Sequence, residues 1–206
     1  MRMPSRALGA RLLGVFSVLL AVVLATGQGA YAASKTVRDA TGDTYSIAGD
    51  TPVRKASAIG DIVSVRTAHR AKKVIVVIRT RGLAAVNAGF VQIKTSNPGR
   101  QYFVSAFAAP GMKSVSLTKG MNSTNDLTCR GLRAAFQIAS NTITVQVPRT
   151  CLHSPRWVRT GVLLTSTSAT ETDDGYVDVA GLDVVSDNLW NDDSASLPLG
   201  PKVRRG

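Results

Sequence analysis

Three groups of side chains in this sequence have types and spacings that could do chemistry: turn aspartates, arginines around a tryptophan, and two cysteines. Asp39 and Asp43 flank a turn that contains Gly42, and Asp173, Asp174 and Asp178 cluster around Gly175. A hard cation such as calcium takes about six to eight oxygens from carboxylates and carbonyls of flexible turns. These five residues are therefore the candidate calcium ligands if the fold brings the two segments together. Their spacing is not that of an EF-hand, and solvated aspartates capping local backbone groups are the plainer reading. Zinc is disfavoured, because the two histidines have no ligand spacing and the two cysteines suit a disulfide.

Trp157 lies between Arg156 and Arg159, with Arg149 just upstream. An indole beside guanidinium groups can stack on a sugar ring while the arginines hold an anion, so Trp157, Arg156, Arg159 and Arg149 form the candidate ligand-binding set. The competing reading is a tryptophan half-buried at the start of a strand. Nucleic acid is disfavoured, since only Tyr102 and Phe103 could supply stacking aromatics and no recognition motif accompanies them. Catalysis is disfavoured too. His69 sits at a hairpin turn and reads as a solvated strand end, His153 reads as a loop residue, and neither lies in a nucleophile-elbow motif. A glycosidase-like carboxylate pair could come only from Asp39, Asp43, Asp61 and the C-terminal acids, and no spacing favours it.

The elements that must position these residues read as β-structure. Glu171 is the sole glutamate, while Val, Thr, Ser and Ala abound, a composition of strands and turns. Between Cys129 and Cys151 the apolar residues Leu132, Ala134, Phe136 and Ile138, then Ile143, Val145 and Val147, alternate with period two. A two-residue loop at Ser140 and Asn141 would pair Ile138 with Ile143, Phe136 with Val145 and Ala134 with Val147. The two cysteines have opposite facial parity in that register, so their disulfide is expected just beyond the ladder, where Gly131 can distort the chain and Pro148 ends the pairing. Asp61 to Arg81 reads as a second hairpin, with Val74 to Ile78 as a central strand covered on both faces. Strands are also expected at Phe90–Thr95, Gln101–Ala108, Lys113–Thr118 (an edge), Trp157–Thr167 and Tyr176–Ala180. The whole predicts an all-β fold, an antiparallel β-sandwich of jelly-roll type with one disulfide.

Residues 1–32 carry a basic start, an apolar run from Leu12 to Ala25 and the small-residue site Ala30-Tyr31-Ala32, which predicts a cleaved secretory leader. The sandwich is expected over 33–185, followed by a polar, extended tail over 186–206, packed on the body or frayed at its end. No later stretch is apolar for long enough to span a bilayer as a helix. Charge is uneven. Residues 33–160 hold 19 Lys and Arg against five Asp, and residues 161–206 hold three against eight acids. That balance suits an anionic partner or an acidic segment lying across a basic body.

Asp39-x-x-Gly42-Asp43, Asp61-Ile62 opening a strand, Val147-Pro148-Arg149-x-Cys151-Leu152 and Pro155-Arg156-Trp157-Val158-Arg159 resemble a group of uncharacterised secreted actinobacterial proteins. More remotely the chain resembles the DOMON-like sandwiches that include family 9 carbohydrate-binding modules. That resemblance implies glycan binding between aromatics and structural calcium. The resulting expectation is a secreted, monomeric, non-catalytic module, extracellular or associated with the cell wall. It would bind polysaccharide or an anionic cell-wall polymer and would carry no cofactor beyond calcium. The alternative is a secreted protein-interaction module, an inhibitor or an envelope structural factor.

Overall fold

A computed structural model describes residues 33–47, 53–120, 123, 125–167, 175–181 and 196–206. The strands are β1 (Ala33–Arg38), β2 (Tyr45–Ser46), β3 (Val53–Arg54), β4 (Ile62–His69), β5 (Lys73–Thr80), β6 (Val86–Thr95), β7 (Gln101–Ala109), β8 (Met112–Lys119), β9 (Arg133–Gln137), β10 (Thr142–Pro148), β11 (Trp157–Thr167), β12 (Gly175–Val179) and β13 (Val203–Arg204). One antiparallel sheet runs β1-β4-β5-β10-β9, and the other runs β3-β2-β12-β11-β6-β7-β8 with β13 also paired to β11. After the single strand β1, the chain changes sheet by hairpins or meanders. This order establishes an all-β, sandwich-like arrangement and does not establish a jelly roll. Among the described residues no helix is long and apolar enough to cross a membrane.

Period-two alternation places the core between the sheets. Val74, Val76 and Ile78 of β5 and Ile143, Val145 and Val147 of β10 are all at 0 % exposure, and they share one cluster with Val91, Ile93, Val104 and Leu164 from the other sheet. Burying each such side chain is worth about 1.5–3 kcal/mol. On β5 only one face is fully covered, since Ile75 and Val77 on the other face remain half-buried. β11 is enclosed on both faces. Val162 and Leu164 face the main core, whereas Leu163 packs with Val177, Val179 and Tyr45 under Leu197.

Leu197 belongs to a C-terminal segment that packs against the sandwich. Its amide donates to Gln92 Oε1 at 2.7 Å, Gly200 N donates to the Thr160 carbonyl, and Val203 is 2 % exposed within β13. Gly161 makes this close approach possible, because a Cβ there would lie 2.7 Å from both Leu197 Cβ and the Pro198 oxygen. Residues 196–206 therefore pack with the rest of the same compact unit.

The hairpin from Cys129 to Cys151 keeps its faces but not its expected register. Phe136 pairs with Ile143 and Ala134 with Val145, two residues away from the expected partners. The cause is the turn. Ile138–Ser140 form a 3-10 turn and Asn141 is left-handed at φ 47°. Asn141 fastens to the end of β5, donating from Nδ2 to the Arg81 carbonyl and accepting at Oδ1 from Leu83 N. A slide of two residues preserves side-chain parity, so tertiary bonds to Asn141 can select the longer turn. The Cys129–Cys151 disulfide lies beyond the ladder, as its parity requires. Cys151 sits in the 3-10 turn Arg149–Leu152, and Gly131 adopts φ 91° near Cys129.

Candidate metal centre

Both sheets contribute to a buried acidic cluster where the chain crosses between them. The Asp39–Asp43 turn leads from β1 to β2, Asp61 immediately precedes β4, and Asp178 lies on β12. Asp43, Asp61 and Asp178 are each at 0 % exposure. Each can offer a carboxylate oxygen, all within 4.8 Å of one another. Two oxygens on opposite sides of a calcium ion, at about 2.3–2.6 Å each, stand roughly 5 Å apart. The three carboxylates are thus close enough to share one such ion.

Backbone groups hold them in place. Asp178 Oδ2 accepts from Ile62 N at 2.6 Å and its Oδ1 from Val179 N at 2.7 Å, which ties β12 to the start of β4. Asp61 Oδ2 accepts from Gly42 N at 2.9 Å and from the Arg81 guanidinium at 3.0 Å. Asp39 Oδ1 accepts from Gly181 N at 2.7 Å. Asp61 Oδ1 and Asp39 Oδ2 are buried and have no hydrogen-bond partner among the described residues. A buried carboxylate oxygen without a donor is costly, and a cation is the partner such an oxygen fits.

The electrostatics lead to the same place. Burial pushes the Asp178 carboxyl up to about 7, helped by the charges of Asp39 and Asp43 and opposed by the bonds from Ile62 and Val179. Burial likewise lifts Asp39 to about 6, with Asp43 and Asp61 adding to the rise and the Gly181 amide opposing it. Arg81 pairs with Asp61 in the cluster, and its side chain is 46 % exposed. Positive charge brought among these carboxylates would favour their ionised forms. The donors are all oxygen, which suits a hard cation and not zinc.

Of the expected calcium ligands, Asp43 and Asp178 meet in the cluster and Asp39 adjoins it, while Asp173 and Asp174 lie outside the described residues. Asp61 was not among them. Its sequence signal, an aspartate directly before an alternating strand, reads as strand opening and carries no hint of a partner more than a hundred residues away.

Of the candidate ligand-binding residues, Arg149 and Arg159 spend their guanidinium groups on backbone carbonyls. Arg149 is 8 % exposed and donates to the Ala71 and Pro155 carbonyls at 2.8 and 2.9 Å. Arg159 donates to the Leu199 and Gly200 carbonyls and so anchors the C-terminal segment. Trp157 is half-buried, with Lys202 Nζ 4.9 Å from its ring centre. Arg156 is exposed. His69 is not a solvated strand end. It is at 0 % exposure beneath β13, with Nδ1 3.2 Å from the Val203 carbonyl, and burial lowers its pKa. His153 is exposed in a left-handed conformation.

Comparison of the chain with family models, with curated proteins and with solved structures finds no match.

Proposed function

We propose that this chain is a secreted, non-catalytic β-sandwich binding module for extracellular polysaccharide, stabilised by a calcium ion held by Asp43, Asp61 and Asp178. The observation that carries the calcium reading is the convergence of three fully buried carboxylates with a donorless oxygen, Asp61 Oδ1, among them. Complete burial supports a structural ion over a catalytic one, because a catalytic metal needs a coordination position that substrate can reach. A cation at this point would clamp the β1–β2 turn, the start of β4 and β12, and so fasten one sheet to the other. The disulfide and the leader-like residues 1–32 support export into an oxidising compartment. The basic charge of the chain supports a partner that carries anionic groups.

Two measurements test this. Melting followed with chelator and then with excess calcium should give a lower temperature that the ion restores. An unchanged curve on protein shown to be metal-free would reject the calcium ion. Retention on insoluble cell wall and on polysaccharides across a salt series should be seen in at least one glycan. No retention on any of them would reject the polysaccharide-binding reading.

A further inference from the structure

The outward face of the five-stranded sheet has a composition that folding does not require. That face carries Arg38, Arg66, Lys73, Arg79 and Arg133, and the strands of the sheet hold not one Asp or Glu. Register places Arg38, Ser64 and Arg79 in one row across β1, β4 and β5, with Arg66 between Thr36 and Val77 in the next row. Arg38, Arg66 and Arg79 are exposed. Adjacent strands lie about 4.8 Å apart, so Arg38 and Arg79 stand roughly 10 Å from each other along their row with Arg66 diagonal to both. Like charges this close oppose sheet pairing, and surfaces that serve only solubility intersperse both signs. The face is also chemically mixed. Half-buried Ile75 and Val77 run down its middle on β5, Thr142 and Thr144 line the neighbouring strand β10, and the face holds no aromatic side chain.

We propose that this face is a docking surface for a uronate-bearing polysaccharide, a proposal that rests on the binding-module reading above and names both its ligand class and its site. The arginine forks match carboxylates. The Ile75–Val77 strip offers an apolar track to the C–H face of a sugar ring, and the flanking threonines offer hydrogen bonds to its hydroxyls. A single-stranded nucleic acid would find the cations but no aromatic platform for its bases. The lack of any carboxylate in the strands of the sheet supplies the charge complementarity.

The probe is hyaluronate, with its methyl ester as the same polymer stripped of carboxylate charge, and single-stranded DNA as competitor. The full chain, produced with its disulfide, is compared with the variant Arg38→Gln/Arg66→Gln/Arg79→Gln. Each exposed ion pair is worth up to about fivefold in affinity. The variant is therefore expected to bind hyaluronate roughly 10- to 100-fold more weakly at low salt, with a melting temperature no lower than that of wild type. Wild-type protein is expected to lose binding to the methyl ester. Equal affinity of variant and wild type, or equal affinity for the ester, overturns the proposal, and so does tighter binding of DNA at matched charge. If wild-type protein is retained on cell-wall glycan while the variant is retained equally, the face is wrong and the binding-module reading stands. If neither is retained on any glycan, that reading fails with it.

Discussion

Replacing Asp61 with asparagine should stabilise the metal-free protein and destabilise the calcium-bound one, a reversal that a merely structural aspartate would not give. In the metal-free state Asp61 faces the carboxylates of Asp43 and Asp178 within 4.8 Å. At that separation and an effective dielectric of about 20, two unit charges repel by roughly 3.5 kcal/mol. Asparagine keeps an oxygen for Gly42 N and Arg81, and its amide can take the place of the donorless Oδ1 and donate to a neighbouring carboxylate. Against this stands the weakened ion pair with half-exposed Arg81, worth about 1 kcal/mol. A net gain of about 2 kcal/mol follows, which for a chain of this size raises the melting temperature by roughly 4–8 °C. With calcium at about 100 times its Kd, wild-type protein gains about 2.7 kcal/mol from binding, and the variant, lacking a ligand, gains little. Melting both proteins at pH 8 in chelator and in calcium tests this. A variant that melts below wild type by the same amount in both conditions would refute the reasoning.

Three further outcomes follow from the geometry. Asp178 and Asp39 have raised pKa values, at about 7 and about 6. Between the unfolded carboxylate value and the folded one, the native state holds more protons than the unfolded state, so metal-free stability should fall as pH rises through that window and level off above about 7. His69, with its pKa lowered by burial and by the charges of Arg149 and Arg205 against the opposing Val203 bond, contributes the opposite slope below about 6.5. Denaturant titrations in chelator from pH 6.5 to 8 therefore isolate Asp178, and a rise in stability over that range would contradict its assignment. Arg149→Met should cost about 2–4 kcal/mol by leaving the Ala71 and Pro155 carbonyls without donors, with glycan retention per folded molecule unchanged. A loss of retention at full stability would return Arg149 to a ligand-binding role. Gly161→Ala should cost about 1–3 kcal/mol by driving a methyl group into Leu197 and Pro198, and protection of the Gly200 amide from hydrogen exchange should drop. Unaltered protection would mean that the segment accommodates the extra carbon.

What the sequence determined by itself was local. The strand at Trp157–Thr167 was legible to the residue, and Gln101–Ala109 and the edge strand Met112–Lys119 nearly so, because alternation is a property of neighbouring residues. The disulfide was legible from a single pair of cysteines behind a leader-like segment, and its place outside the ladder from their opposite parity together with Gly131 and Pro148. The tertiary structure decided everything that depends on which strands meet. Asp61 and Asp178 join through a bond from Ile62 that spans 116 positions, and no period in the chain encodes that encounter. Arg149 reaches the Ala71 carbonyl and Arg159 the carbonyls of Leu199 and Gly200 only because distant segments meet, and β13 returns over His69. The turn at Asn141 shows the boundary between the two: side-chain parity set which faces meet, and a contact with the end of β5 chose the register.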